Sequence, residues 1–227
     1  PLFGTNEDLD VLLAKAKSLG IRIIVDIVPN HTSDQHVWFQ AALEAAPGSA
    51  ERGYYHFLEG KGDNGELPPN NWQSIFGGPA WSRTTNADGT PGQWYLHLFD
   101  SSQPDLNWEN PAVADEFDEI LRFWLRKGVD GFRVDVAHGM VKRHGLPDAQ
   151  DREANGVQFG ISHMTEEEAE VRIPYWGQPG VHDFIRRFRR VIDEFPDRAA
   201  CAEASMSPLS RLAKWVRPDE YHQSFNF

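Results

Sequence analysis

Apolar and polar positions along the chain fall into helical stretches that alternate with short apolar runs. From Asn6 to Leu19 the residues Leu9, Leu12, Leu13 and Ala16 recur at helical spacing, with Thr5 placed to cap the start and Gly20 to close the end. Ile21 to Val28 follows as an apolar run broken by Arg22 and Asp26, which predicts a parallel strand buried on both faces. The pairing returns in Pro111 to Lys127, a helix carrying Phe117, Ile120, Leu121, Trp124 and Leu125, followed by a strand over Gly131 to Ala137. It returns again as a helix over Val181 to Phe195 with a strand over Ala199 to Ala204, and as a helix over Pro208 to Trp215 with a strand over Tyr221 to Phe227. Helix-strand units in succession predict an α/β fold with a parallel sheet or barrel, because each crossover needs a helix to return the chain to the same end.

Two stretches break this rhythm. Between Asn30 and Trp108 a short helix around Val37 to Ala46 leads into a Gly/Pro/Asn-rich region with strand-like pieces at Tyr54 to Leu58 and Trp94 to Phe99. An interruption of that length inside a compact fold marks a functional excursion or a small subdomain. Gly139 to Gly180 is the second irregular stretch, and its Glu166-Glu167-Glu168 run reads as a solvated helical face. Both leave after a strand, on the side where parallel barrels place their active sites.

Composition narrows the function. With 34 acidic against 22 basic side chains and a net charge of -12 over 227 residues, the chain repels phosphate backbones and anionic headgroups, so nucleic acid and membrane surfaces are not expected partners. No apolar run is long enough to cross a bilayer, and no basic-then-apolar leader opens the chain, so a cytoplasmic location is expected. The lone Cys201 forms no internal disulfide and reads as a small core residue. The abrupt start at Pro1 and end at Phe227 suggest a fragment.

Carboxylates close three of the predicted strands: Asp26 after Ile23-Ile24-Val25, Asp135 after Phe132-Arg133-Val134, and Glu203 after Cys201-Ala202. Singly, each reads as a structural ion pair, Arg133 being available as a partner. Together at one end of a barrel they point to chemistry, since glycoside hydrolysis needs two facing carboxyls, one to attack or assist and one to protonate the departing oxygen. Nucleophile elbows, zinc-binding His-Glu-x-x-His pairs, phosphate loops and dinucleotide fingerprints are all missing from the sequence. His31, His36, His138 and His144 are spaced too loosely for a metal cage and read as loop or packing histidines.

At these residues the chain resembles glycoside hydrolase family 13, the α-amylase family. Asp26-Ile27-Val28-Pro29-Asn30-His31 is similar to its first signature, Gly131-Phe132-Arg133-Val134-Asp135 to the second, and Ala202-Glu203 fits the third. The resemblance implies a partial (β/α)8 TIM barrel, about strands 3 to 6, with barrel parts at 1–31 and 109–227. It also implies a domain B-like insertion at 32–108, after the third strand, and an irregular insertion at 139–180. It implies that Asp135 attacks the anomeric carbon while Glu203 protonates the leaving oxygen, with Asp26 and His31 around the first sugar and His31 donating to a hydroxyl. Arg133, two residues before Asp135 on the same side of the strand, is expected to keep that carboxylate ionised. Glu203 is expected to start protonated, in drier or more negative surroundings.

Gln103-Pro104-Asp105-Leu106-Asn107 resembles the hallmark of the oligo-1,6-glucosidase and α-glucosidase branch, and Asn71-Trp72, Phe76-Gly77-Gly78, Trp81 and Tyr95-Leu96-His97-Leu98-Phe99 are similar to it as well. Phe76 and Phe99 are then expected to wall the glucose pocket. Val136 resembles members acting on α-1,6 bonds, a contact worth roughly 1–3 kcal/mol of bias. The implied reaction is retaining exo-hydrolysis of α-1,4 or α-1,6 glucosidic bonds, the implied partner an α-glucoside oligosaccharide. No cofactor is expected in this segment, a divalent cation such as calcium belonging to the missing N-terminal part. Alternatives are a glucosyl-transferring or isomerising relative and a non-catalytic binding subunit on the same barrel. By itself the segment is expected to be inactive and unstable, through open sheet edges.

Overall fold

The computed structural model describes residues 4–150, 165–206 and 209–225. Four parallel strands form one sheet in sequence order: β1 (Ile24–Ile27), β5 (Gly131–Val134), β6 (Ala199–Ala202) and β7 (Gln223–Ser224). A three-stranded antiparallel sheet, β2 (Phe57–Leu58), β4 (Pro91–Leu96) and β3 (Trp81–Thr85), lies in the excursion between β1 and β5. The helices are α1 (Asn6–Ser18), α2 (Val37–Glu44), α3 (Pro111–Lys127), α4 (Glu166–Arg172), α5 (Val181–Asp193) and α6 (Leu209–Leu212). Mixed α/β architecture with a parallel sheet is therefore as expected.

The parallel sheet is one-sided. Its outer row, Ile27, Phe132, Val134, Ala200 and Ala202, is buried with Phe117, Leu121 and Leu125 of α3 and Ile185, Phe188 and Val191 of α5. Full burial of each Ile, Leu, Val or Phe among these is worth about 1.5–3 kcal/mol. Asn110 caps α3 through the Ala112 N–H, Pro111 opens its first turn, and Gly128 closes it in a left-handed conformation. Opposite, the inner row is open: Ile24 is 55% exposed and Asp26 lies out on the same face, so β1 is not buried on both sides. Towards β7 the Phe225 ring lies over Arg133 of that face, 6.0 Å from its guanidinium carbon. α1 likewise buries only Leu13 and Ala16, leaving Leu12 exposed.

Several boundaries fall short of the sequence expectation for local reasons. β5 ends at Val134 because Val136 turns left-handed, φ 44° and ψ 39°, and a tight helical turn, Ala137–Gly139, follows. α6 gives way to a tighter turn, Ala213–Val216, since Arg217 precedes Pro218 and is held extended. β7 pairs only through Cys201↔Gln223 and Ala202↔Ser224. Pro208, Asn226 and Phe227, ends of the expected last helix and strand, lie outside the described residues, as do 151–164 of the second irregular stretch. The strand-like Tyr54 to Leu58 divides into a tight turn, Arg52–Tyr54, and β2. β3 has no counterpart in the sequence reading.

The excursion is sewn shut where it leaves and returns. Leu106 N donates to Asn30 O at 2.9 Å and Thr32 N to Pro104 O at 3.2 Å, with His31 bridging Asp105 in antiparallel fashion. Across this seam Lys142 Nζ, from the segment after β5, reaches Asp105 Oδ2 at 2.7 Å, Asn30 Oδ1 at 2.9 Å and the Gly139 carbonyl. Both charges are sealed from solvent, 1% and 0% exposed. A second apolar cluster joins excursion to the β5 side, uniting Trp72, Trp81, Leu96 and Leu98 with Val136, Ile173, Tyr175 and Trp176.

Candidate active site

Parallel register decides which side chains meet on the open face. Asp26 pairs with Arg133, and Arg133 with Cys201, so these three point to the same side. Two residues further along their strands, Asp135 and Glu203 repeat that orientation at the C-terminal edge. One guanidinium gathers all three carboxyls: Arg133 Nη1 lies 2.9 Å from Asp26 Oδ2 and 2.5 Å from Asp135 Oδ1, while Nη2 lies 2.7 Å from Glu203 Oε2. Asp135 and Glu203, gathered on the one guanidinium, also shift each other's pKa in opposite directions. Neither is sealed off, with side chains 20% and 27% exposed. Cys201, expected in the core, is half-buried on this face, and burial raises its thiol pKa against the pull of Arg133.

The proton order is the reverse of the expectation. Burial, then the neighbouring Glu203 carboxyl, pushes Asp135 up to about 6 in spite of Arg133. Burial alone would raise Glu203 too, but the Asp135 carboxyl, the Val136 N–H and Arg133 together bring it below the usual carboxylate range. Arg133 therefore does not keep Asp135 ionised by itself. It divides its charge among three carboxyls, whereas Glu203 alone receives a backbone N–H, Val136 N to Oε2 at 3.3 Å. The left-handed backbone of Val136 accompanies that contact, an uncommon state for a β-branched residue. Its side chain is buried among the second cluster.

Beside the carboxyls stands an aromatic wall. Phe99 meets His31 with ring centres 5.3 Å apart, Phe76 at 5.9 Å and Trp176 at 6.1 Å. Phe76 projects from this wall, 70% exposed. His31 is buried, which lowers its pKa, and its nitrogens lie 3.2 Å from Asn30 Nδ2 and 3.0 Å from Gln103 Nε2. The expected donor to a sugar hydroxyl is thus already engaged by two amides. Asp26 sits one layer below Asp135 on the strand face and serves as an ion partner of Arg133.

Three participants were not picked out by sequence reasoning as site residues. Trp176 completes the wall. His138, read as a packing histidine, is indeed buried, and Glu203 offsets part of the lowering that burial imposes on its pKa. Lys142 fixes the loop after Asp135 to the excursion. The spacing Asp135-x-x-His138 was the only hint, and Asp105 stood inside the pentapeptide already noted. Gly139 belongs here as well, since a side chain on it would strike the Trp176 ring and Val136. Among the described residues no group of three or more His, Cys, Asp or Glu could hold a metal ion. No helix there is long and apolar enough to cross a membrane.

Comparison with known proteins places this geometry in context. The family model of the alpha-amylase catalytic domain matches residues 1–227. An oligo-1,6-glucosidase of Heyndrickxia coagulans is 39% identical over 228 residues, covering 100% of this chain and 38% of that protein. Among solved structures, the trehalose-6-phosphate hydrolase of Bacillus licheniformis superposes with a TM-score of 0.82 at 36% identity, covering 99% of this chain and 37% of that one. The alpha-glucosyl transfer enzyme XgtA gives 0.83 at 33% identity, covering 100% and 42%. The chain thus spans about two fifths of the length of these relatives.

Proposed function

From the premise that the chain belongs to the alpha-amylase catalytic-domain family, we propose that it carries the catalytic carboxyls of a retaining α-glucosidase acting on α-1,4 or α-1,6 bonds. In this reading β1, β5, β6 and β7 are strands 3 to 6 of a (β/α)8 barrel, the excursion at 32–108 is the domain B-like insertion, and 139–180 is an irregular insertion in the second barrel part. The observation that carries the reading is the meeting of Asp135 and Glu203, partly exposed, over one guanidinium at the C-terminal edge of adjacent parallel strands.

Asp135 is the nucleophile and Glu203 the acid/base. One proton shared between them is the stoichiometry the first step needs. It rests on Asp135, and passing it to Glu203 yields an ionised nucleophile and a protonated acid. Asp135 then bonds to the anomeric carbon as the glycosidic bond breaks, and the Glu203 proton goes to the departing oxygen. In the second step Glu203 takes a proton from water, whose oxygen replaces Asp135 at the same carbon with net retention. Arg133, held by Asp26, orients both carboxyls. His31, Phe99 and Phe76 wall the glucose site, and Val136 biases linkage through the residues packed on it. The substrate is an α-glucoside oligosaccharide, and the chemistry requires no cofactor in this segment.

A second reading, transfer of the glucosyl unit to another sugar, draws support from the likeness to an alpha-glucosyl transfer enzyme. Product analysis of the full-length protein on maltose, isomaltose and sucrose separates the two. The central test assays that protein on maltose and isomaltose beside Asp135→Asn and Glu203→Gln, with the anomer of released glucose followed by NMR. Undiminished turnover in either variant, or β-glucose as first product, sinks the assignment.

A further inference from the structure

His31 has two ring nitrogens and, when neutral, a single hydrogen to place on them. Burial lowers its pKa, with Asp105 opposing and Lys142 adding to the lowering, so the ring is neutral at neutral pH. Both nitrogens face side-chain amides: Nδ1 lies 3.2 Å from Asn30 Nδ2, and Nε2 lies 3.0 Å from Gln103 Nε2. A neutral imidazole accepts at one nitrogen only, so one of these contacts sets a donor against a donor and must give way.

The two amides are not equally free to turn. Asn30 is fully buried; its Oδ1 accepts from Lys142 Nζ at 2.9 Å and its Nδ2 donates to Asp105 Oδ2 at 3.2 Å. An ammonium has only donors and a carboxylate only acceptors, so these partners fix which end of the amide is oxygen. Turning it over would set donor against donor at Lys142 and acceptor against acceptor at Asp105, both sealed from solvent. The second N–H of Asn30 Nδ2 is therefore committed to His31 Nδ1, which must present its lone pair. Gln103 is held less firmly. Its Oε1 accepts the Asp100 N–H at 3.2 Å in an exposed contact, where water can take its place. Gln103 can turn its oxygen to the ring without stranding a buried group.

We infer that Asn30 is a positioning residue that fixes the tautomer of His31: the hydrogen sits on Nε2, so this residue of the proposed sugar wall offers a ligand an N–H and not a lone pair. Lys142 acts one step further back, by fixing the Asn30 amide. The buried junction between the excursion and the β5 side thus also sets the hydrogen-bonding sense of the wall. A sugar oxygen at Nε2 competes with Gln103, whereas Nδ1 is committed to a buried partner. The tautomer depends on no reaction; its bearing on sugar binding rests on the glucosidase reading above.

The test is nitrogen NMR of the full-length protein carrying isotope-labelled histidine, which shows which ring nitrogen bears hydrogen. The His31 signals are identified by their loss in His31→Gln. In the parent the hydrogen should lie on Nε2, and Gln103→Leu should keep it there. Asn30→Asp, of nearly the same shape but with an acceptor in place of the amide donor, should bring hydrogen to Nδ1. Hydrogen on Nδ1 in the parent, its transfer in Gln103→Leu, or an unchanged ring in folded Asn30→Asp protein each overturns the inference. The first two decide it even if Asn30→Asp does not fold. Turnover of maltose and isomaltose is the second readout: Asn30→Asp should lower kcat/KM by roughly tenfold, about the worth of one hydrogen bond. Unchanged kcat/KM with the hydrogen moved overturns the consequence for the sugar. A parent inactive on both sugars removes the glucosidase reading and leaves the tautomer result standing.

Discussion

Two clusters of charge lie on either side of the loop that follows Asp135, and they are built on opposite plans. Lys142 and Asp105 are matched one to one, dry, and saturated: Asp105 also accepts the Leu98 N–H at 2.9 Å and the Asn30 amide at 3.2 Å. Arg133 instead faces three carboxyls and keeps contact with solvent. In the first cluster the three N–H groups of the ammonium are matched by three acceptors, Asp105, Asn30 and the Gly139 carbonyl, so the geometry has a single solution. In the second the cation is outnumbered, and a proton must make up part of the deficit. Balanced charge fixes a junction; unbalanced charge leaves a proton free to move, which is what acid/base work requires.

The sharpest way to break this contrast is to remove the mobile side of it. Asp135→Asn and Glu203→Gln should each lower kcat/KM on maltose or isomaltose by roughly a thousandfold or more, with little change in the unfolding midpoint. Lys142→Met should do the reverse. Leaving Asp105 buried and unpaired costs about 3–5 kcal/mol, read as a shift in denaturant unfolding, and Lys142→Met combined with Asp105→Asn should recover part of it. A shift below about 1 kcal/mol for Lys142→Met would deny the junction its role.

A gentler probe is pH. With Asp135 raised to about 6 and Glu203 lowered, the singly protonated pair persists below about pH 6 and is lost above it. The alkaline limb of kcat/KM should therefore lie near pH 6. Arg133→Gln takes away positive charge, favours the protonated form, and should move that limb upward. A limb unmoved by this change would mean that another group titrates. The smallest effect is expected at Val136. Replacement by Ala should shift the preference between maltose and isomaltose by roughly tenfold at most, measured as a ratio of kcat/KM.

How much of this was legible beforehand depended on the range of the interaction. α3 and α5 were readable because their buried faces, Phe117, Leu121 and Leu125 or Ile185, Phe188 and Val191, recur at helical spacing. Asp26, Asp135 and Glu203 were readable because strand ends in parallel sheets collect on one side. β3 was not, since Trp81-Ser82-Arg83-Thr84-Thr85 owes its strand state to β4, against which it pairs. Lys142 could not be read either. Its ammonium is defined by partners 37 and 112 positions away, from Asp105 and Asn30. Nor does any local signal say which carboxyl keeps the proton, because that depends on a single backbone N–H aimed by the unusual turn at Val136.

The open side of the parallel sheet has a consequence for synthesis on the ribosome. When this stretch has emerged and nothing yet lies across it, the surface it shows to other nascent chains is not a plain sheet of aliphatic side chains. Asp26, Arg133, Asp135 and Glu203 stand on it, hydrated and mutually tethered. Under the proposed function, the groups that carry the chemistry then also keep a half-built protein from sticking to its neighbours, so a variant that replaces them with apolar residues should be prone to clumping during expression as well as inert.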